Sequence, residues 1–167
     1  MTLVWASGYS GNPGKVKLGQ SLDADPYYGA VSVLLDGRAF EDRSVNPKAI
    51  GGTFVLDTSQ SKWHGNSYGT GSGYWKYMSV ENTGGAFDFG SGDFTIEFWM
   101  RPSYITATST SFMLLNFGSG YKPVYMTFYG KELRCYASTS GTAWDVAISS
   151  GLYTTQGLWQ HVAFVRS

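Results

Sequence analysis

The chain is poor in cysteine and in charge. It contains one cysteine, Cys135, among 167 residues, which excludes an intrachain disulfide and a cysteine-based zinc cluster. We interpret Cys135 as a small packed residue, because free cysteine is usually buried. Charged residues are only 14% of the chain, and twelve Lys+Arg against twelve Asp+Glu give a formal net charge of zero. A neutral chain lacks the electrostatic footprint of a protein that binds nucleic acid or an anionic membrane.

Long apolar runs and targeting signals are also missing. No segment approaches the roughly 18 consecutive apolar residues of a membrane span, so we expect no membrane insertion. The N-terminal stretch MTLVWASGYSGNPGK has neither a basic region nor a long apolar core, which argues against a secretory signal. These absences predict a chain that is made in a cytoplasm and reaches any extracellular target by another route.

The chain is rich instead in aromatic residues, which make up 17% of it, and in glycine, with 22 residues. This balance suits short strands and glycine-rich turns better than a helical bundle, and no run shows 3.6-residue periodicity. The predicted strands cover residues 28–35, 53–56, 74–80, 94–101, 112–117, 124–129, 132–137, 144–149 and 159–166. Their short, regular spacing predicts an all-β fold, a two-sheet antiparallel jelly-roll sandwich, over residues 26–167 after an arm of residues 1–25.

The stretch GSGDFTIEFWMRPS gives the clearest strand signal. Apolar residues occupy every second position from Phe94 to Met100, and Glu97 and Trp99 lie on the other side. A retaining glycosidase needs two carboxyl groups about 5 Å apart, which on one strand requires acidic residues two positions apart. Glu97 has Thr95 and Trp99 at those positions, so we predict that this strand carries no hydrolysis.

Motifs that carry histidine or serine chemistry are not found either. The two histidines, His64 and His161, form neither a His-x-His nor a His-Glu-x-x-His pattern, so no zinc site is predicted. The stretch GTGSG, Gly69–Gly73, matches a serine nucleophile motif only loosely, and no helix follows it. We interpret it as a flexible loop and predict no catalytic residue.

Five stretches occur along the chain in the order YYGAVSVLLDG, FEDRSVNPKAI, FDFGSGDFTIEFWMRPS, LLNFGSG and WQHVAFVRS. Over about residues 25–167 this order resembles the laminin-G-like, concanavalin A-like jelly-roll domains of lectins and glucanases. The similarity is greatest to the versions in bacteriophage virion proteins. The resemblance implies two antiparallel sheets, one of them curved, with ligands on the concave face and on the edge loops.

Two departures from the family pattern matter. Here GTGSG stands where the family usually has a Phe-Asp-Gly step. The family also normally continues beyond HVAFVRS into another hairpin, whereas this sequence stops at Ser167. The resemblance therefore implies either a fragment or an exposed strand edge. We expect the N-terminal arm or another subunit to cover that edge.

The family resemblance also implies a calcium site. Such domains often hold one Ca²⁺ through a loop Asp or Asn and backbone carbonyls, the oxygen ligands that this ion prefers. In the loop DGRAFEDRSVN the matching ligands are Asp36, Asp42 and Asn46. The alternative is that these residues cap local backbone groups in turns. No other cofactor is predicted.

Aromatic residues in glycine-flanked loops are the candidates for contact with a glycan or a partner. Aromatic rings line sugar sites together with a few polar groups that fix the ligand's orientation, but Tyr and Trp are also enriched where subunits meet. The candidates are Trp63, Tyr68, Tyr74, Trp75 and Tyr121. Trp99 and Trp159 lie in predicted strands, where we expect them to pack.

The resemblance, the neutral charge and the missing chemistry together predict a non-enzymatic structural or adhesion component of a phage virion. It would be either a capsid decoration protein or a tail-associated protein. We expect a homo-oligomer that docks on other virion proteins through the arm, with Trp5 and Tyr9 in contact. The alternative is a lectin-like receptor-binding module that recognises host surface glycan, and fold alone does not decide between the two.

Overall fold

A computed structural model describes residues 2–7, 28–71, 76–90, 92–103, 111–116, 124–129, 131–153 and 155–167, which form twelve strands. The strands are β1 (Thr2–Ser7), β2 (Val31–Leu35), β3 (Ile50–Gly52), β4 (Val55–Asp57), β5 (Ser67–Gly69), β6 (Met78–Val80), β7 (Phe94–Met100), β8 (Ser111–Asn116), β9 (Val124–Tyr129), β10 (Glu132–Ala137), β11 (Val146–Tyr153) and β12 (Gln160–Arg166). Two short 3₁₀ turns, Tyr28–Ala30 and Thr83–Gly85, are the helical elements of this described part.

The chain divides into two compact units. Unit 1 comprises the residues up to Met100 together with His161–Ser167, and unit 2 comprises Arg101–Gln160. Unit 1 has a four-stranded sheet in the order β12-β7-β1-β2 and two antiparallel strand pairs, β3–β6 and β4–β5. Unit 2 has a four-stranded sheet in the order β11-β10-β9-β8. Each unit therefore builds its own sheet.

Strand β7 shows the alternation that its sequence predicted. The apolar residues at every second position from Phe94 to Met100 are buried, and Ile96 is completely so. The residues between them, Glu97 and Trp99 among them, are half-buried, because successive side chains of a strand point to opposite faces of the sheet. Burying side chains of this size contributes about 1.5–3 kcal/mol each, so β7 anchors the core of unit 1.

Strand β1 lies inside the unit 1 sheet. It pairs antiparallel with both β2 and β7, so that Val4 is opposite Leu34 on one side and Glu97 on the other. The sequence had predicted residues 1–25 as an arm, whereas Thr2–Ser7 is an inner strand of the chain's own sheet. The sequence TLVWAS is short and gives little alternation, so it lacked the period-two signal by which β7 was recognised.

Arg166, in the last strand, ties β12 to the loop that precedes β7. Its Nε donates to the carbonyl oxygen of Gly92 at 2.9 Å, and its Nη2 donates to the carbonyls of Phe89 at 3.1 Å and Gly90 at 2.9 Å. Its Cζ also lies 4.6 Å from the centroid of the Phe94 ring. A guanidinium has five donors in a rigid fork, so one side chain can satisfy several carbonyls at once.

The unit 2 sheet is a meander in which strands consecutive in the chain are neighbours. Strand β9 pairs antiparallel with β8 and β10, and β10 pairs antiparallel with β11. On one face Val124, Met126 and Cys135 are buried. On the other face Tyr125 stands opposite Tyr136, and both are partly exposed. An antiparallel sheet with one solvated face is common. Here this second face is partly solvated, although Thr127 on it is buried, and it becomes a candidate surface.

The predicted all-β jelly-roll class is confirmed by this antiparallel strand architecture, and β9 and β10 have the predicted bounds. One difference is β5, which pairs with β4 inside a segment that the sequence predicted as a glycine- and serine-rich loop. Within the residues described, no helix has the length and apolar character needed to cross a membrane.

Candidate ligand-binding surface

Asp42 closes the loop after β2 and shields the outer edge of that strand. Its Oδ1 accepts hydrogen bonds from the backbone N–H groups of Leu34 and Ser44, both at 2.9 Å. Its Oδ2 accepts from Ser44 Oγ at 3.0 Å and from the Lys48 backbone N–H at 2.9 Å. The Leu34 carbonyl in turn accepts from the Arg43 N–H at 2.9 Å. The buried Asp42 carboxylate thus takes the place of a neighbouring strand.

Asp36 and Asn46 face cations of the chain itself. Asp36 Oδ2 lies 3.2 Å from Arg38 Nε and 3.4 Å from Arg43 Nε, and the Asn46 carbonyl accepts from Lys48 Nζ at 3.0 Å. Calcium needs about six to eight oxygen ligands, and here N–H groups and cations occupy the oxygens. Among the described residues no three His, Cys, Asp or Glu side chains are grouped to hold a metal. These contacts favour the turn-capping alternative, and the calcium site at Asp36, Asp42 and Asn46 stays a prediction.

Tyr68 is a buried structural residue with 5% exposure. Its hydroxyl donates to the Ala39 carbonyl at 2.6 Å and accepts from the Gly37 N–H at 3.3 Å, and its ring centroid lies 5.4 Å from that of Phe40. Burial raises the pKa of the Tyr68 phenol, because the charged form loses its solvation. Tyr68 therefore holds the loop, and its ring is not available to a glycan as the sequence had predicted.

Trp63 belongs to a group of unit 1 side chains that we call the Trp99 cluster. The Trp63 ring meets the Trp99 ring edge-on, with centroids 5.4 Å apart at 84°. Lys62 Nζ lies 4.0 Å from the Trp99 centroid, and the His161 ring lies 5.1 Å from it. His161 Nε2 is 3.4 Å from Glu97 Oε2. The rings of this cluster pack on the chain's own side chains.

The structure does not give the side-chain contacts of the remaining aromatic candidates. Tyr9, Tyr74, Trp75 and Tyr121 lie outside the described residues. Trp5 lies in β1, where its backbone is opposite those of Val33 and Ile96. The contacts predicted for these five aromatic residues stay predictions.

The open face of the unit 2 sheet carries a second aromatic group, which the sequence reasoning did not single out. We call it the aromatic surface, and its members are Tyr125, Thr127, Tyr129, Arg134, Tyr136 and Trp144. Ring centroids are 5.9 Å apart for Tyr125 and Tyr136, 5.8 Å for Tyr125 and Trp144, and 6.2 Å for Tyr136 and Trp144. The rings are tilted by 34° to 50°, and the six residues line a depression of about 230 Å³.

An arginine–glutamate pair lies beside the rings. Arg134 donates from Nε and Nη2 to Glu132 Oε2 at 3.2 and 3.1 Å, and Ser149 Oγ donates to the same oxygen at 3.1 Å. The Arg134 guanidinium also lies 4.2 Å from the centroid of the Tyr129 ring. The hydrogen bond to Glu132 raises the pKa of Arg134, whose guanidinium is cationic in any case. The pair thus presents a fixed donor and a fixed acceptor next to the rings.

The loop between β10 and β11 positions Trp144. Asp145 Oδ1 accepts from the Thr139 backbone N–H at 2.9 Å, and its Oδ2 accepts from the Thr139 hydroxyl. These hydrogen bonds, led by the one from the hydroxyl, lower the pKa of Asp145 because they favour the charged carboxylate. Since Trp144 is the preceding residue, closure of the loop by Asp145 holds the indole beside Tyr125 and Tyr136.

Cys135 lies on the other face of β10 from Tyr136. It is 6% exposed, and burial raises the pKa of its thiol to about 12. A thiol nucleophile must be deprotonated, so burial and the raised pKa both disfavour nucleophilic chemistry at Cys135. Its interpretation as a packed residue is confirmed.

The sequence did contain a signal for the aromatic surface. In VYMTFY, Tyr125, Thr127 and Tyr129 stand at every second position, opposite to the buried Val124 and Met126, and in ELRCYA Arg134 and Tyr136 flank the buried Cys135. The predicted candidates lie in glycine-flanked loops, whereas this surface lies mainly on paired strands. Its composition depends on which residues of β9 and β10 stand opposite each other, and register is a property of the fold.

One known family matches the chain. The family model described as the concanavalin A-like lectin/glucanases superfamily matches residues 72–167, more than half of the sequence. All members of the aromatic surface lie in that range. No curated protein and no solved structure matches. The concanavalin A-like part of the sequence resemblance is confirmed, and its bacteriophage part receives no support from these comparisons.

Proposed function

The chain belongs to the concanavalin A-like lectin/glucanase superfamily, and from this premise we propose that it is a non-enzymatic carbohydrate-binding module. Lectins and glucanases share a carbohydrate ligand, so membership of this superfamily supports carbohydrate as the ligand class. The aromatic surface is the proposed site. The observation that carries the proposal is the group of three tilted rings beside the Arg134–Glu132 pair on an open sheet face.

The chemistry of a sugar fits this surface. A pyranose has C–H faces that pack on aromatic rings, and its hydroxyls need donors and acceptors in fixed positions. Tyr125, Tyr136 and Trp144 supply the rings. Arg134 supplies the donor and Glu132 the acceptor, and their mutual hydrogen bonds hold both in place before a ligand arrives. Such preorganisation reduces the ordering cost of binding.

The proposal is tested with a glycan array followed by calorimetry on whichever glycan binds. Trp144→Ala should weaken binding by about thirtyfold, since an aromatic stack contributes on the order of 1–3 kcal/mol in comparable ring-stacking sites. The matched control is Tyr77→Ala, which removes a ring that is 57% exposed in unit 1. Binding that depends on Trp63 and not on Trp144 would move the site to the Trp99 cluster. Silence across the array would overturn the proposal.

The non-enzymatic part rests on how Glu97 and Glu132, one beside each aromatic group, are used. Glu97 lies beside His161, and Glu132 accepts from Arg134 and Ser149. Neither arrangement supplies the acid and the nucleophile of a glycosidase on one face. Release of reducing sugar from a bound polysaccharide, abolished by Glu97→Gln or Glu132→Gln, would show an enzyme instead.

We further propose, from the sequence resemblance alone, that the module works on a phage particle as a decoration or tail-associated protein. It would act there as a homo-oligomer that attaches to other virion proteins and contacts host surface glycan. Purified particles should then contain the protein in fixed stoichiometry by mass spectrometry. Deleting residues 8–22, which spares β1, should prevent attachment. If the deleted form still attaches, residues 8–22 are not the attachment segment. If purified particles lack the protein, it is not a virion component.

A further inference from the structure

The cation that lines the depression is paired with a carboxylate of the chain. Among the residues that line the depression, the cation is Arg134, and the Glu132 carboxylate accepts from both its Nε and its Nη2. An arginine that recognises a carboxylate ligand uses the same two N–H groups as a fork. Here an internal carboxylate already occupies that fork. An acidic sugar would have to displace Glu132 and would be repelled by it.

The same pair is suited to two adjacent hydroxyl groups. The side chains of Arg134 and Glu132 are 33% and 41% exposed, so both reach the solvent beside the rings. One hydroxyl of a vicinal diol can donate to the carboxylate while its neighbour accepts from the guanidinium. Hydrogen bonds to charged groups are the stronger ones. We propose that the aromatic surface selects neutral hexose residues with free vicinal hydroxyls over acidic sugars, an inference that rests on the proposed carbohydrate-binding function.

Size and rigidity support the same ligand class. The depression of about 230 Å³ is smaller than the roughly 300–1,000 Å³ of drug-sized ligand pockets, which suits one sugar ring at a time. Ser149 Oγ and the Tyr129 ring hold Glu132 and Arg134 respectively from further sides. The pair is therefore fixed before binding and does not turn freely toward an incoming anion.

The test compares neutral oligohexoses of glucose, galactose and mannose with oligouronates of the same linkage and length, by calorimetry. The protein should bind at least one neutral series about tenfold more tightly than its uronate partner. Its affinity should change less than threefold between 50 and 500 mM salt, since no net charge is neutralised. Glu132→Gln should lose about tenfold for the neutral series, as hydrogen bonds to charged groups contribute on that order. The same variant should gain affinity for the uronates, because Arg134 has lost its partner.

Two further variants keep the outcome decisive. Arg134→Gln should weaken both series without reversing the preference. Ser149→Ala removes only the hydroxyl hydrogen bond to Glu132 and should lower the affinity for the neutral series about threefold. This variant replaces Glu132→Gln as the test if Glu132→Gln does not fold. A uronate preference in the unaltered protein would overturn the selectivity and leave the carbohydrate-binding function standing. If the protein binds neither series and no glycan on the array, both the selectivity and the carbohydrate-binding function are wrong.

Discussion

The Trp99 cluster of unit 1 and the aromatic surface of unit 2 contain similar chemical groups, but these groups make different contacts. Each combines aromatic rings, a cation and a carboxylate. In the Trp99 cluster, Lys62 lies over the indole, and Trp63 and His161 contact it as well. On the aromatic surface the cation pairs with Glu132 beside three tilted rings that line a depression.

The difference shows that a list of suitable residues does not define a binding site. What distinguishes the two groups is that Lys62, Trp63 and His161 contact the Trp99 ring, whereas the rings of the aromatic surface line a depression beside an ion pair. A ring packed by the chain contributes to the fold, while rings that line a depression beside polar groups can contact a ligand. We therefore expect stability to depend on the Trp99 cluster and ligand binding to depend on the aromatic surface.

The largest expected effect concerns the closed face behind the aromatic surface. Cys135 has a thiol pKa raised to about 12, so its thiolate is scarce at pH 8 and alkylation should be about a thousandfold slower than for free cysteine. Reaction with a maleimide, followed by mass spectrometry, measures this rate. Denaturant should restore the ordinary rate. Fast reaction in the native protein would mean that both faces of the unit 2 sheet are open.

Replacing Trp99 and Trp144 by alanine, one at a time, should separate the effect on stability from the effect on binding. Trp99→Ala should lower the free energy of unfolding by about 2 kcal/mol, less than for a fully buried tryptophan because Trp99 is half-buried. It should change sugar affinity less than twofold. Trp144→Ala should do the reverse, with a smaller loss of stability than Trp99→Ala and a large loss of binding. Denaturant titration measures the free energy of unfolding and calorimetry measures the sugar affinity of both variants. Equal effects of the two variants in both assays would contradict the separate roles of the two aromatic groups.

A smaller effect is expected from acid. The pKa of Asp145 is lowered in the folded protein, so its contribution to loop closure is present above the ordinary Asp pKa of about 3.9. It is lost as the pH falls through the lower folded value. Sugar affinity should therefore be constant from pH 7 to about 5 and fall about threefold as Asp145 becomes protonated. Asp145→Asn should weaken binding at pH 7 and lose this dependence; an unchanged profile would show that the loop does not position Trp144.

The smallest effect should come from Lys62→Ala, which uncovers the Trp99 ring. Loss of the cation–π contact should cost about 0.5–1 kcal/mol of stability. Sugar affinity and stoichiometry should not change. Calorimetry that detects a second, weak sugar site in this variant would show that Lys62 is the feature that separates the two aromatic groups.

The sequence predicted the features that depend on local pattern. The alternation from Phe94 to Met100 gave β7 correctly, and β9 and β10 were predicted with their observed bounds. The alternation of apolar and polar residues along a half-buried strand is visible in consecutive residues, so it can be recognised from the sequence without knowing the fold. The buried Cys135 was expected for the same reason, since free cysteine usually packs.

The features that were not predicted depend on contacts between distant residues. Tyr125 and Tyr136 become neighbours only through the register of β9 and β10, and a loop brings Trp144 to them. Likewise Asp42 is a plausible calcium ligand by residue type, but the structure fills its oxygens with N–H donors from Leu34 and Lys48. Residue type suggests a chemistry, and only the fold shows which atoms remain available for it.

The order of the unit 1 sheet has a consequence for how the chain folds during synthesis. Strand β7 takes its two neighbours, β1 and β12, from opposite parts of the sequence, and Arg166 in β12 fastens the loop before β7. The unit 2 meander pairs strands that are consecutive, and such local contacts form faster than distant ones. Emerging from the ribosome, the chain can therefore complete the sheet that bears the aromatic surface before the sheet of unit 1 receives its last strand.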